Sequence, residues 1–228
     1  MSAADRPGPL VFVEDLDRPV LSDADRHHLD RVLRLRRGDP LVVADGMGGW
    51  RPATFGERIE PTGPPARDPE PEPPLTVCFA LVKGERPELV VQKLTELGVD
   101  RIVPFAARRS VVRWDGDRAA RQVERLAAVA RAAAMQSHRA RLPVVAPVAG
   151  FAEVASLDGA TLADRSGGEP DGLRTVLIGP EGGWDPAELE VPLPRVGLGD
   201  AVLRAETAAL VAGTLMVALR SGTVRPKT

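Results

Sequence analysis

Three stretches of this 228-residue chain bring together residue types that can do chemistry. The first is Ile178-Gly179-Pro180-Glu181-Gly182-Gly183-Trp184, directly after the apolar run Thr175-Val176-Leu177. Glycine lets backbone approach a ligand closely, and the carboxyl end of a parallel strand is where open α/β sheets bind their ligands. A tight turn with a glutamate at its tip is the plainer reading. The second stretch is Val196-Gly197-Leu198-Gly199-Asp200-Ala201-Val202-Leu203-Arg204-Ala205-Glu206-Thr207-Ala208-Ala209-Leu210. A glycine-rich strand end, one guanidinium and a Glu-Thr helix start put backbone donors, a cation and a carboxylate within a few positions. Helix capping with Arg204 paired to an acid would account for it, but not for two glycine-rich strand ends about 15 residues apart, each preceding a helix. The third is Lys83-Gly84-Glu85-Arg86, with Gln92, Lys93 and Glu96 beyond it. Of 30 basic residues only Lys83, Lys93 and Lys227 are lysines. Two of them in one short stretch point to a need for a compact ammonium, against the alternatives of chance and a solvated helix stripe.

Other chemistries lack their signatures. The glycines match neither G-x-G-x-x-G nor G-x-x-x-x-G-K-[ST], and G-x-S-x-G and H-E-x-x-H do not occur. Nicotinamide, nucleoside-triphosphate, serine-hydrolase and zinc-protease readings therefore lose their sequence support. One cysteine and three histidines supply neither an internal disulfide nor the spacing of a structural zinc site. No metal is expected. With 43% hydrophobic and 27% charged residues, no basic leader and no long apolar run, the composition is that of a cytoplasmic globular protein.

The net charge of -2 hides a lopsided distribution. Arg26 to Arg37 holds five arginines against one acid, and Arg108 to Arg141 nine against three. Both are candidate phosphate-facing segments, with a solvated, ion-paired face as the alternative. Asp164 to Glu206 reverses the balance, nine acids to four arginines, so a different role is expected there.

The elements that must position these residues follow from periodicity and turn signals. Glu60 to Pro74 has seven prolines in 15 residues, too many for a helix or a central strand. It reads as a linker over 61–74, with a small domain over 1–60 and a larger one over 75–228. The small domain reads as strand-rich, a short barrel or sheet with turns at Asp45-Gly46 and Gly48-Gly49, and with one basic helix opened by a Ser22 cap. Beyond the linker, LTVCFALV reads as a strand buried on both faces. Pro87 opens a helix that Gly98 ends, DRIVPF is a strand, a long Ala/Arg helix spans about 117–137, and further strands include LPVV, TLAD and TVLIG. Strand-helix alternation predicts an α/β domain with a parallel sheet and helices on both faces.

The blocks LVKGERPELVVQKLTELGVDRIVPF, AAAMQSHR, LIGPEGGW and VGLGDAVLRAETAAL, in that order, resemble the bacterial 16S ribosomal RNA (uracil-N3)-methyltransferases. The resemblance extends over nearly the whole chain, because HHLDRVLRLRRGD followed by a turn at DGMGG is similar to that family's PUA-like RNA-binding barrel. It implies a SPOUT-type domain with a C-terminal trefoil knot around S-adenosylmethionine, and a homodimer acting on the small ribosomal subunit. By motif match it places Ile178, Gly179, Pro180, Glu181, Gly182, Leu198, Gly199, Leu203, Arg204, Thr207 and Ala208 on the cofactor loops. Within the implied chemistry Arg204 stabilises charge and Glu181 or Glu206 removes a proton. Arg31, Arg34, Lys83, Lys93, Gln136 and Arg139 are the candidate RNA contacts. Two departures stand out: the N-terminus offers Arg6 as its only base, and Met135 replaces a usual acid. A non-catalytic RNA-binding assembly factor is the alternative function, and an unrelated oxidoreductase is disfavoured by the missing dinucleotide fingerprint.

Overall fold

The computed structural model describes residues 6–84 and 86–225, so Glu85 of the lysine-bearing motif and Lys227 lie outside the described residues. The chain divides into two compact units, one running to Glu70 and taking in Arg131–Leu142, the other made of Pro71–Ala130 and Pro143–Thr228.

The first unit is a five-stranded sheet. Strands β1 (Leu10–Phe12), β2 (Pro40–Ala44), β3 (Gly49–Thr54) and β4 (Glu60–Pro61) follow one another across it, and β5 (Ala66–Arg67) also pairs with β3. The expected turn between β2 and β3 is organised by Asp45, whose Oδ1 accepts from the amides of Met47 and Gly49 at 2.7 and 2.9 Å. The proline-rich stretch departs from a free spacer. Its first part supplies the short edge strands β4 and β5, where proline's missing donor costs no ladder bond. Asp68, further along it, is locked to Arg6 and accepts from the Trp50 indole at 3.1 Å. The first unit therefore runs past the boundary expected at residue 60. Arg6 is 5% exposed and stacks 4.6 Å from the Trp50 ring, which makes it a structural cation.

The basic helix also differs from expectation. Ser22 does cap it, accepting from the Asp25 amide at 3.1 Å. But α1 (Asp23–His27) passes into one π-helical turn, His28–Val32, and Arg34 follows at φ 57°, beyond the helix. Arg31 and Arg34 thus do not share a helix face.

The second unit carries seven parallel strands: β6 (Thr76–Ala80), β7 (Arg101–Ala106), β8 (Val144–Val145), β9 (Ala149–Gly150), β10 (Ala160–Gly168), β11 (Thr175–Ile178) and β12 (Arg195–Val196). Their order is β12-β10-β11-β6-β7-β8, with β9 also on β7. The helices are α2 (Arg86–Leu97), α3 (Gly116–Gln136), α4 (Phe151–Ala155), α5 (Pro186–Leu189) and α6 (Ala205–Arg220). The division between the units falls within α3, after Ala130. As its unbroken apolar run implies, β6 is buried on both sides. Val77 and Phe79 join a core with α2 and α6, while Cys78 and Ala80 join another with Val103, Phe105, Leu162 and Leu177. Burial pushes the Cys78 thiol up to about 12, so it is an inert core residue.

Helices α2 and α6 approach closely because position 213 is glycine. A Cβ there would sit 2.5 Å from Leu94 Cδ2, in a side chain with no exposure. The far end of α6 is pinned by Arg220, which pairs with Asp100 and donates to the Gly98 carbonyl at 2.9 Å.

Gly213→Val is expected to overpack this contact and destabilise the protein by about 1–3 kcal/mol, measured as a lower midpoint in denaturant at unchanged slope. In the first unit, burial alone would raise the Asp25 carboxyl, but hydrogen bonds from Arg131 and Ser22 and the Arg131 charge outweigh it and hold it below the ordinary value of 3.8. A lowered folded-state value contributes stability that is present above the unfolded value and lost as pH falls through the folded one. Acid unfolding of Asp25→Asn should therefore lack the part of the wild-type pH dependence that lies below about pH 4.

Candidate functional site

The carboxyl ends of β11 and β12 and the middle of β10 line a cleft of about 290 Å³ within the second unit. Chain direction explains its place. After β9 the chain crosses to the far side of the sheet for β10 and returns for β11 beside β6, and strand ends diverge where such an order reverses. Of the residues expected to hold a ligand, Ile178, Gly179, Pro180, Glu181, Leu198, Gly199, Leu203 and Ala208 line the cleft, so the two glycine-rich segments are its facing walls. Gly182, Arg204 and Thr207 are not among its lining residues. The Gly182 carbonyl accepts from Arg109 at 3.4 Å, Arg204 is the exposed N-cap of α6, and Thr207 is exposed on that helix.

The remaining wall is Ala163, Asp164 and Arg165, from a stretch that had offered no signal. Its clue was the Gly167-Gly168 pair: a Cβ on Gly167 would lie 2.3 Å from the Val196 backbone carbon, so β10 passes β12 where only glycine fits. Hydrogen bonds from the Ser166 hydroxyl and amide hold the Asp164 carboxyl below its ordinary range. A fixed negative charge therefore stands in the cleft.

Trp184 organises these walls. Its indole Nε1 donates to the Ala163 carbonyl at 2.9 Å, and its ring stacks on Phe105 at 6.2 Å and meets the edge of Phe151 at 5.9 Å. A Cβ on Gly179 would be 2.8 Å from that ring, so the loop lies flat on the indole only as glycine. Beyond the ring, Asp185 caps α5, and buried Glu188 accepts from the amides of Arg108 and Asp185 at 2.8 and 3.0 Å. The loop after β7 is thereby fastened to the glycine-rich loop.

The two candidate proton acceptors meet at one cation that carried no assigned role. Arg86, at the start of α2, pairs with Glu181 through Nη1 and lies 3.7 Å from Glu206 Oε1 through Nε. The expected RNA contacts are dispersed. Lys83 is exposed in the loop before α2, whereas Lys93 is engaged with Glu96 at 2.8 Å, so its ammonium serves an i,i+3 helix pair. Arg31, Arg34, Gln136 and Arg139 belong to the first unit. There Arg31 is 74% exposed beside Asp30, and Gln136 is exposed at the end of α3. Among the described residues no group of three or more His, Cys, Asp or Glu could hold a metal ion, and no helix is long and apolar enough to cross a membrane.

Comparison with known proteins agrees with this geometry. Residues 69–217 match the RNA methyltransferase domain family. The ribosomal RNA small subunit methyltransferase E of Mycobacterium bovis is 36% identical over 85% of this chain and 83% of that protein. Its Bacillus subtilis counterpart is 28% identical over 88% and 90%. A crystal structure of the Neisseria gonorrhoeae ribosomal RNA small subunit methyltransferase E bound to S-adenosyl methionine superposes with a TM-score of 0.77 at 28% identity, covering 93% of this chain and 98% of that one. A probable rRNA-methyltransferase from Porphyromonas gingivalis gives 0.78 at 29%, covering 95% and 100%. The chain belongs to the RNA methyltransferase domain family, alongside the ribosomal RNA small subunit methyltransferases E.

Trp184→Phe keeps the ring stack but leaves the Ala163 carbonyl without its donor. We expect a loss of about 1–3 kcal/mol, seen as a lower unfolding midpoint.

Proposed function

We propose that this protein methylates N3 of a uridine in 16S rRNA of the small ribosomal subunit, with S-adenosylmethionine as methyl donor. The observation that carries this reading is the cleft between two glycine-rich strand ends, in a chain of a family whose Neisseria gonorrhoeae member is bound to S-adenosyl methionine. The residues present fit that cofactor. Gly199, at φ +122°, turns a face toward open space where a Cβ would meet nothing within 4 Å, so backbone is presented to the cleft without side-chain obstruction. Asp164 offers a carboxylate suited to a cationic ligand. When bound, the cofactor supplies an electrophilic methyl on a sulfonium.

The chain's own residues do the rest. Uridine N3 carries a proton at neutral pH, so attack on the methyl requires a proton acceptor at N3 and stabilisation of charge on O2 and O4. Glu181 or Glu206 takes the proton, and Arg204, exposed beside the cleft, supports the charge. The first unit binds RNA through its exposed Arg31 and Arg34, as a PUA-like module, with Gln136 and Arg139 as further RNA contacts of that unit, and Lys83 of the second unit orients the nucleotide. The finer architecture belongs to the same reading: a SPOUT-type C-terminal trefoil knot, division at the proline-rich stretch, and a homodimer with the site near the subunit interface. An intact cleft favours turnover over the non-catalytic assembly-factor alternative.

Gly199→Val should abolish cofactor binding in calorimetry, because two methyls enter the cleft and the residue must hold a positive φ; unchanged affinity in a folded variant would refute the placement. Small subunits from cells lacking the enzyme, methylated in vitro and mapped by mass spectrometry, should carry one methyl on uridine N3. A methyl on carbon 5 or on ribose would exclude the N3 assignment.

A further inference from the structure

The functional reading leaves two carboxylates as proton acceptors, and the structure distinguishes them by burial, partners and position. Glu181 lines the cofactor cleft, is half exposed, and has Oε1 in close contact with Arg86. Glu206 does not line the cleft; its side chain is 13% exposed, and Arg86 reaches its Oε1 only at 3.7 Å. Its second oxygen, Oε2, is buried with no hydrogen-bond partner. A buried carboxylate oxygen without a donor is costly, and in a native protein it calls for an explanation, a catalytic role or a bound water or ion among them. On α6 the neighbours Ala205 and Ala208 face the cofactor cleft. Glu206 lies off that stripe, beside the cofactor space and outside it.

Resting on the uridine-N3 reading above, we propose that Glu206 Oε2 is the proton acceptor for N3, and that Arg86 is the positioning residue that aims it. Arg86 reaches Glu206 from the start of α2 and Glu181 from the glycine-rich loop, so one planar guanidinium sets the spacing of three elements at the cleft mouth. The step balances. The N3–H bond breaks and its proton goes to Glu206 Oε2. The N3 electron pair forms the bond to the methyl carbon, and the carbon–sulfur bond breaks with its pair returning to sulfur. A sulfonium and a carboxylate thus become a neutral thioether and a carboxylic acid, which then loses its proton to water. Glu181 serves as the second anchor for Arg86.

Single-turnover methylation of small subunits at saturating cofactor tests this, with cofactor affinity measured by calorimetry on each variant. Glu206→Gln should slow the chemical step at least about 10²-fold while binding cofactor like wild type, and Glu206→Asp should recover part of the rate. Glu181→Gln should cost no more than about tenfold, well below the usual contribution of a general base. Arg86→Ala should lower the rate constant without raising the subunit concentration needed for half-saturation, and Arg86→Lys should restore it in part, since an ammonium holds one carboxylate but cannot span two. A Glu206→Gln protein that binds cofactor and methylates N3 at the wild-type rate overturns this proposal alone, as does a larger loss in Glu181→Gln. A wild-type methyl found away from N3 overturns the functional reading and this proposal with it.

Discussion

The contacts of one indole hold the site together. Trp184 follows the glycine-rich loop after β11, donates to Ala163 within β10, and packs its ring on Phe105 from β7 and on Phe151 from α4. Four elements therefore converge on a side chain that is 8% exposed. Parallel strands have no hairpins to fix their carboxyl ends, so the loops leaving them need other anchors. Here the anchor demands glycine at 179, because the backbone has to lie against the ring face. The glycine that frees the loop for a ligand is the same one that lets it dock on its own support.

Charge is distributed on a related logic. Arg6, Arg26, Arg131 and Arg220 are committed internally, to Asp68 and Trp50, to the carbonyls of Gly56 and Glu57, to Asp25, and to Asp100. Such arginines suit their places because a guanidinium can donate in several directions while stacking on a ring. Counting arginines along the chain thus overstates the surface available to phosphate. In the run Arg26 to Arg37, Arg31, Arg34, Arg36 and Arg37 are exposed, next to the apolar side chains of Val32 and Leu33. Those four guanidiniums face solvent, as do Arg18, Arg58 and Arg67 elsewhere in the first unit.

The cleft mouth uses the same device. Arg86 stands between two carboxylates, and Glu188 satisfies two backbone amides from inside the protein. Each converts a sequence-distant pair of loops into one rigid edge. Catalytic groups that act by position depend on rigidity of this kind.

Local chemistry was legible in the residues themselves. The unbroken run of β6, the Ser22 cap, the end of α2 at Gly98 (φ +108°) and the two glycine-rich strand ends follow from periodicity and stereochemistry, which act over a few residues. The two glycine segments could also be paired as one site, because strand-helix alternation places both at the same sheet edge. What lay beyond local rules was decided by contacts across long sequence separations. The proline-rich stretch became edge strand because β3 had a free side, and the helix after Ser22 broke into a π turn before Arg34. Arg6 went inside to Asp68 and Trp50, and the 163–165 wall came from a segment whose only mark was a pair of glycines. Which carboxylate has a buried, unpartnered oxygen, and which arginine lies between the two, is set by how α2, α6 and the loop after β11 pack. Burial and ion pairing depend on neighbours in space, and packing alone determines those neighbours.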